Sequence, residues 1–165
     1  MNDERQQHIA HLAGLIKDVE VAMLTTVGLD GQLYSRPLGT QQVDFDGDLW
    51  FATAVDSPKV AEIQRNPWVN VAYASPSGNT YVSVSGTARV VDDRAKIEQL
   101  WSPAMGLFFP GGKDDPSLRL IHVRALSAQY WDGPGTWLGK ALSFVLSAAT
   151  DGDAPMADNG RIDLR

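Results

Sequence analysis

"LWFATAVDSPKVAEIQRNPWVNVAY", residues 49–73, reads as a strand, a helix and a second strand. Trp50, Phe51, Ala52, Ala54 and Val55 suit a pleated, buried segment. Ser57 then stands where a helix N-cap is wanted, Pro58 at the first helical position, and Pro67 where the helix must stop. "WVNVAYA" (68–74) alternates as a strand should. Two hydroxyls and an ammonium, Thr53, Ser57 and Lys59, gather where the first strand exits. The residues alone leave two readings open. One is a capped helix start with solvated charges. The other is an anion seat, where hydroxyls, cations and the free N–H groups of a helix start converge.

Working outward, Ile9, Leu12, Leu15 and Ile16 recur at helical spacing and predict a helix over 3–17. "VEVAMLTTV" (19–27) is a strand, and "GLDGQ" carries the Asp-Gly signal of a tight hairpin. "LYSRPLGTQQVDF" continues extended, with Pro37 pointing to an edge or a bulge. "TYVSVSGTARVV" (80–91) is a long strand with a bulge or bend at Gly86. Asp92 or Asp93 caps a helix to about Leu100, and "SPAMGLFFPGGKDDP" (102–116) is an irregular loop with exposed aromatics. "SLRLIHVRALSAQYWD" (117–132) is the last strand. A helix is expected at about 137–149, and the acidic segment 151–165 is expected to be a flexible tail. Strands joined mainly by hairpins, with helices inserted, predict a mainly β chain. Its antiparallel sheet closes into a barrel with flanking helices, as one domain over 1–150.

At 165 residues and 44% hydrophobic content the chain can bury a sizeable core. The net charge of −6 argues against nucleic acid as a partner. Without cysteine there are no disulfides, thiolate metal sites or cysteine nucleophiles. A polar start and the lack of a long apolar run lead to the expectation of a cytoplasmic protein with no membrane contact.

Arg36, Thr53, Ser57 and Lys59 converge at one sheet end if their strands pair. A guanidinium, an ammonium and hydroxyls are the donors that a phosphate needs. Trp101, Phe108, Phe109, Trp131 and Trp137 lie near loops or strand ends, where they either stack on a planar ring or pack in a core. His8 and His11 sit on the polar first helix and read as surface residues, so no metal site is expected. His122, between Arg119 and Arg124 on a strand, reads as structural rather than as a general base. No phosphate-binding P-loop, dinucleotide fingerprint or nucleophile elbow is present, and no catalytic side chain is assigned.

"MLTTVGLDGQLYSRPL", "LWFATAVDSPKVAEIQRNPWVNVAY" and "YVSVSGTARVV" follow one another in an order that resembles the pyridoxamine 5′-phosphate oxidase-like FMN-binding split barrels, in their bacterial general stress protein branch. The resemblance runs over roughly residues 5–132. It implies a six-stranded split barrel that forms a homodimer with FMN, or alternatively FAD, at the interface. By position, Arg36, Ser57 and Lys59 would bind the phosphate. Pro37, Leu38, Phe51, Ala52 and Thr53 would lie along the ribityl chain and ring. Tyr81 would approach the isoalloxazine, and Trp131 would be supplied by the partner subunit. Trp101 and the Phe108–Phe109 loop would line the ring's open side.

Ser83 and Ser85 stand where the true oxidases commonly carry charge, and the chain after Trp131 lacks their Arg- and Trp-containing ending. Oxidation of pyridoxamine 5′-phosphate is therefore not expected. Two functions remain open from the resemblance: an FMN-dependent oxidoreductase using NAD(P)H, or a non-catalytic flavin-binding, sensing or interaction protein.

Overall fold

Alternating burial along most of the strands builds the protein around a barrel interior. The computed structural model describes residues 2–41, 44–133 and 158–165. Helix α1 (Asn2–Ile16) precedes strands β1 (Val21–Val27), β2 (Leu33–Gly39) and β3 (Asp48–Ala54). Helix α2 (Pro58–Arg65) leads to β4 (Trp68–Ser75) and β5 (Thr80–Val91). Helix α3 (Arg94–Leu100) and two short 3-10 turns precede β6 (Leu118–Asp132), and β7 (Asp158–Asp163) is the last element described. The β1–β2 hairpin closes through Gly31, whose φ of 82° is a conformation open to glycine at little cost.

All strand pairs are antiparallel, in the order β2-β1-β4-β5-β6-β3. The terminal strands β2 and β3 approach each other without joining in a ladder, so the barrel has a seam. Pro37, predicted at an edge, lies on β2, the strand that ends this order. Its missing N–H is tolerated there because, among the described residues, one edge of β2 meets no other strand. Ala22, Leu24, Leu49, Phe51, Val71, Val84, Ile121 and Val123 point inward and are almost completely buried. Leu12 and Ile16 of α1 close one end of this core. A second core lies outside the barrel, where Ile97 and Leu100 of α3 pack on Leu118 and Leu120 of β6 together with Trp50 of β3.

The α3 start follows its sequence signal: Asp93 is the N-cap, its Oδ1 accepting a 2.9 Å hydrogen bond from the Lys96 N–H. Asp93→Ala is expected to cost about 1 kcal/mol of stability, read in a denaturant titration. Asp92→Ala, which leaves that bond intact, is the control.

The register of β5 on β6 slips at the predicted place. Ser85 faces Ser127 and Gly86 faces Ala125, so β6 carries one extra residue, Leu126. The same point divides the other edge of β6. Its first half pairs with β3, up to Arg124 opposite Asp48, and its second half pairs with β7 from Ser127 onward. The flexible tail expected over 151–165 is thus corrected for its last residues, which form a strand. Its Ile162, with the following Leu164, is buried in the barrel core, and the Arg5 guanidinium donates to the Leu164 carbonyl at 3.1 Å. The sheet accordingly has seven strands rather than six. Two apolar side chains in an otherwise polar stretch gave no visible periodicity, yet they suffice once β6 offers an open edge. The helix expected at 137–149 lies outside the described residues.

No helix among the described residues is long and apolar enough to cross a membrane.

Candidate functional site: a polar cluster at the barrel seam

The seam is where chemistry-bearing side chains meet. Arg36 comes from β2, opposite Leu24 on β1. Thr53 lies next to the end of β3, and Ser57 and Lys59 follow at the start of α2. The Lys59 ammonium donates to Ser57 Oγ at 2.6 Å and to Thr53 Oγ1 at 3.4 Å. Ser57 occupies the N-cap position, but its hydroxyl makes no cap bond; it is turned to Lys59 instead. The N-cap reading of this serine is therefore half right. Backbone position is as expected, and the side chain serves the cluster.

Two members were not foreseen. Glu62, on the inner face of α2, is 6% exposed, and Thr26, on the inward side of β1, is 1% exposed. Arg36 Nη2 donates to Glu62 Oε1 at 2.8 Å, and Arg36 Nη1 donates to Thr26 Oγ1 at 2.9 Å. Thr26 Oγ1 in turn donates to Glu62 Oε2 at 2.6 Å, closing a ring of three hydrogen bonds. The faint signal in the sequence was a carboxylate between Val60 and Ile63, on the helix face that the apolar residues mark as buried.

Electrostatics follow from this geometry. Burial pushes the Glu62 carboxyl up, but hydrogen bonds from Arg36 and Thr26, with the charges of Arg36 and Lys59, outweigh it and leave the group below its ordinary 4.5. The stability this pairing contributes is present at neutral pH and is lost as pH falls from 4.5 through that lowered value. Burial first, and the Arg36 charge second, hold half-buried Lys59 below the usual lysine value, while Glu62 pulls the other way. The cluster thus holds two cations against one buried carboxylate, and an added anion would relieve the strain on Lys59.

The remaining site residues divide by face. Leu38 and Phe51 pack in the barrel core and Ala52 in the outer core, so only their backbone along the seam edges is open to a ligand. Pro37 is exposed on the outer face of β2. Tyr81 and Trp131 lie directly opposite each other on β5 and β6, 39% and 42% exposed. Trp131 lies in the half of β6 that pairs with β7, away from Arg119, which faces Thr53 of β3, so within one chain the two aromatics do not join the Arg36–Lys59 cluster. Phe109 is buried in the outer core and Trp101 packs partly buried against it, while Phe108 stays exposed. The stack of His122 on Trp50, at 4.2 Å between centroids, and the bond from Arg89 Nε to His122 Nδ1 at 3.0 Å give that histidine a structural place. At the other end of the seam a cavity of about 310 Å³ is bordered by Ile16, Thr40, Leu49, Trp50, Phe51 and Tyr73.

Fold and cluster together define an antiparallel split barrel with a cationic, hydroxyl-lined seam. The chain belongs to the pyridoxamine 5′-phosphate oxidase-like family, whose sequence model matches residues 7–155. Protein bli-3 of Neurospora crassa is 28% identical over 154 residues, covering 87% of this chain and 74% of the relative. The general stress FMN/FAD binding protein of Xanthomonas citri is 28% identical with a TM-score of 0.65, covering 80% of this chain and 90% of that one. The Jannaschia sp. CCS1 structure described as a general stress protein 26 has a TM-score of 0.73 over 99% of both chains. At 22% identity that last likeness concerns the fold.

Proposed function

We propose that this chain is a flavin-binding protein of the general stress type that holds FMN along the seam, phosphate at Arg36, Thr53, Ser57 and Lys59. The observation that carries this reading is the Lys59–Ser57–Thr53 cluster beside Arg36, at the start of α2 and between two strand edges that meet no other strand among the described residues. These residues fit a phosphate monoester: two cations in reach, hydroxyl donors and a helix start. When bound, the flavin supplies the redox chemistry, and the protein supplies position and charge. Reduction by NAD(P)H, in the cytoplasm, is the activity that such a site would support.

A homodimer completes the site in this reading. Val21, Met23, Leu33, Trp68, Tyr81 and Trp131 all stand on the outward side of one continuous sheet face and are 39–72% exposed. An apolar face of this kind is rarely left to water. A second copy packed there would bring its own Tyr81 and Trp131 toward the flavin.

Purified protein is expected to show the flavin absorption bands and, on denaturation, to release FMN rather than FAD. Protein that stays colourless and does not quench the fluorescence of added FMN sinks the proposal. Anaerobic mixing with NADH or NADPH separates the two functional classes, since bleaching at turnover rates supports an oxidoreductase and unbleached flavin supports a binding protein.

A further inference from the structure

We propose that Glu62 is the positioning residue of the seam. Together with Thr26 it grips the terminal edge of the Arg36 guanidinium, so that the remaining edge is presented to a phosphate. This rests on the reading of the seam as a phosphate site.

A guanidinium has five donors in a rigid fork, and a phosphate takes two of them side by side. In Arg36 one donor of Nη1 is used by Thr26 and one of Nη2 by Glu62. The Tyr34 ring lies beneath the Arg36 guanidinium carbon, 5.6 Å from its centroid. Among the described residues Nε has no partner, so the flank formed by Nε and the adjacent Nη is the edge left for a ligand. Glu62 does this with both oxygens, Oε1 on Arg36 and Oε2 on Thr26, so neither partner can rotate without losing a bond. A carboxylate so near an anion site would be a liability if it served no purpose, because it repels the ligand's charge. Hydrogen bonds from Arg36 and Thr26 outweigh its burial and hold it ionised against the guanidinium.

Holding a long side chain in its binding rotamer beforehand removes an ordering cost worth about tenfold in affinity. That gain concerns the phosphate alone. FMN and riboflavin differ only by the phosphate, so the ratio of their dissociation constants, from quenching of flavin fluorescence, isolates it. Wild type is expected to prefer FMN. Glu62→Leu and Thr26→Val are expected to shrink that preference, Glu62→Leu by about tenfold, with riboflavin affinity unchanged. Glu62→Gln, which can still bond both partners, is expected to keep it. Thr26→Val, nearly isosteric, provides the reading should Glu62→Leu fail to fold. A wild-type preference that Arg36→Ala abolishes and the Leu and Val variants leave intact overturns the role of Glu62 alone. Wild type with no preference for FMN overturns the phosphate reading and this proposal with it.

Discussion

Gly86→Ala is expected to destabilise the protein by about 3 kcal/mol or more, a fall in Tm of about 6–12 °C for a chain of this size. A Cβ built at Gly86 would lie 2.2 Å from the Arg124 carbonyl oxygen and 3.0 Å from its carbon. Both obstacles are backbone, so no side-chain rotation relieves them. The only escape is to part β5 from β6 at the register slip, where β6 also hands its other edge from β3 to β7. Loss of pairing there would loosen three strand contacts together. Gly14→Ala provides the contrast, because it lies within α1 and its Cβ would meet nothing within 4 Å. There the same change is expected to be neutral or to stabilise by up to about 1 kcal/mol. Equal Tm values for the two variants would show that the close approach at Gly86 is not what holds the bulge.

Lys59→Ala is expected to weaken FMN binding by about 10- to 100-fold, the value of one charge-assisted hydrogen bond, and to leave riboflavin binding unchanged. Its ammonium is already drawn to the Ser57 and Thr53 hydroxyls at the seam, and it reaches the site without paying for a new conformation. A pH titration adds a signature. Burial and Arg36 lower the pKa of Lys59, so its charge is lost at a pH below the ordinary lysine value of 10.5. FMN affinity of the wild type should therefore fall as pH rises through that lowered value, and Lys59→Ala should lack this limb. Affinity for FMN that does not change in the variant would mean that the phosphate sits elsewhere.

Most of the secondary structure was legible because its causes are local. Ser57-Pro58 at one end of α2 and Pro67 beyond the other, Asp93 before α3, the Asp-Gly hairpin and the small residue at the slip all act within a few positions of themselves. The cluster of Thr53, Ser57 and Lys59 was legible for a similar reason, since the three are close in sequence and need only one strand–helix turn to meet. Glu62 was not. Its partners are Arg36 and Thr26, 26 and 36 residues away, and a carboxylate on a helix is solvated unless the fold turns that face inward. β7 was missed because its stability comes from an edge of β6 left open beyond the slip, which no pattern within 158–163 encodes. Phe109 looked exposed because the loop around it is irregular, yet the outer core reaches it.

By itself, then, the sequence determined an antiparallel barrel with helices outside, a bend at Gly86, and cations and hydroxyls concentrated at the exit of β3. Only the tertiary structure decided that β2 and β3 stop short of pairing, that Arg36 is gripped at its terminal edge by a buried carboxylate, and that Tyr81 and Trp131 lie beyond the part of β6 that pairs with β3. Periodicity, caps and turns are short-range forces and can be read along the chain. Which edges stay open, and which charges are buried against each other, depends on how the whole sheet closes.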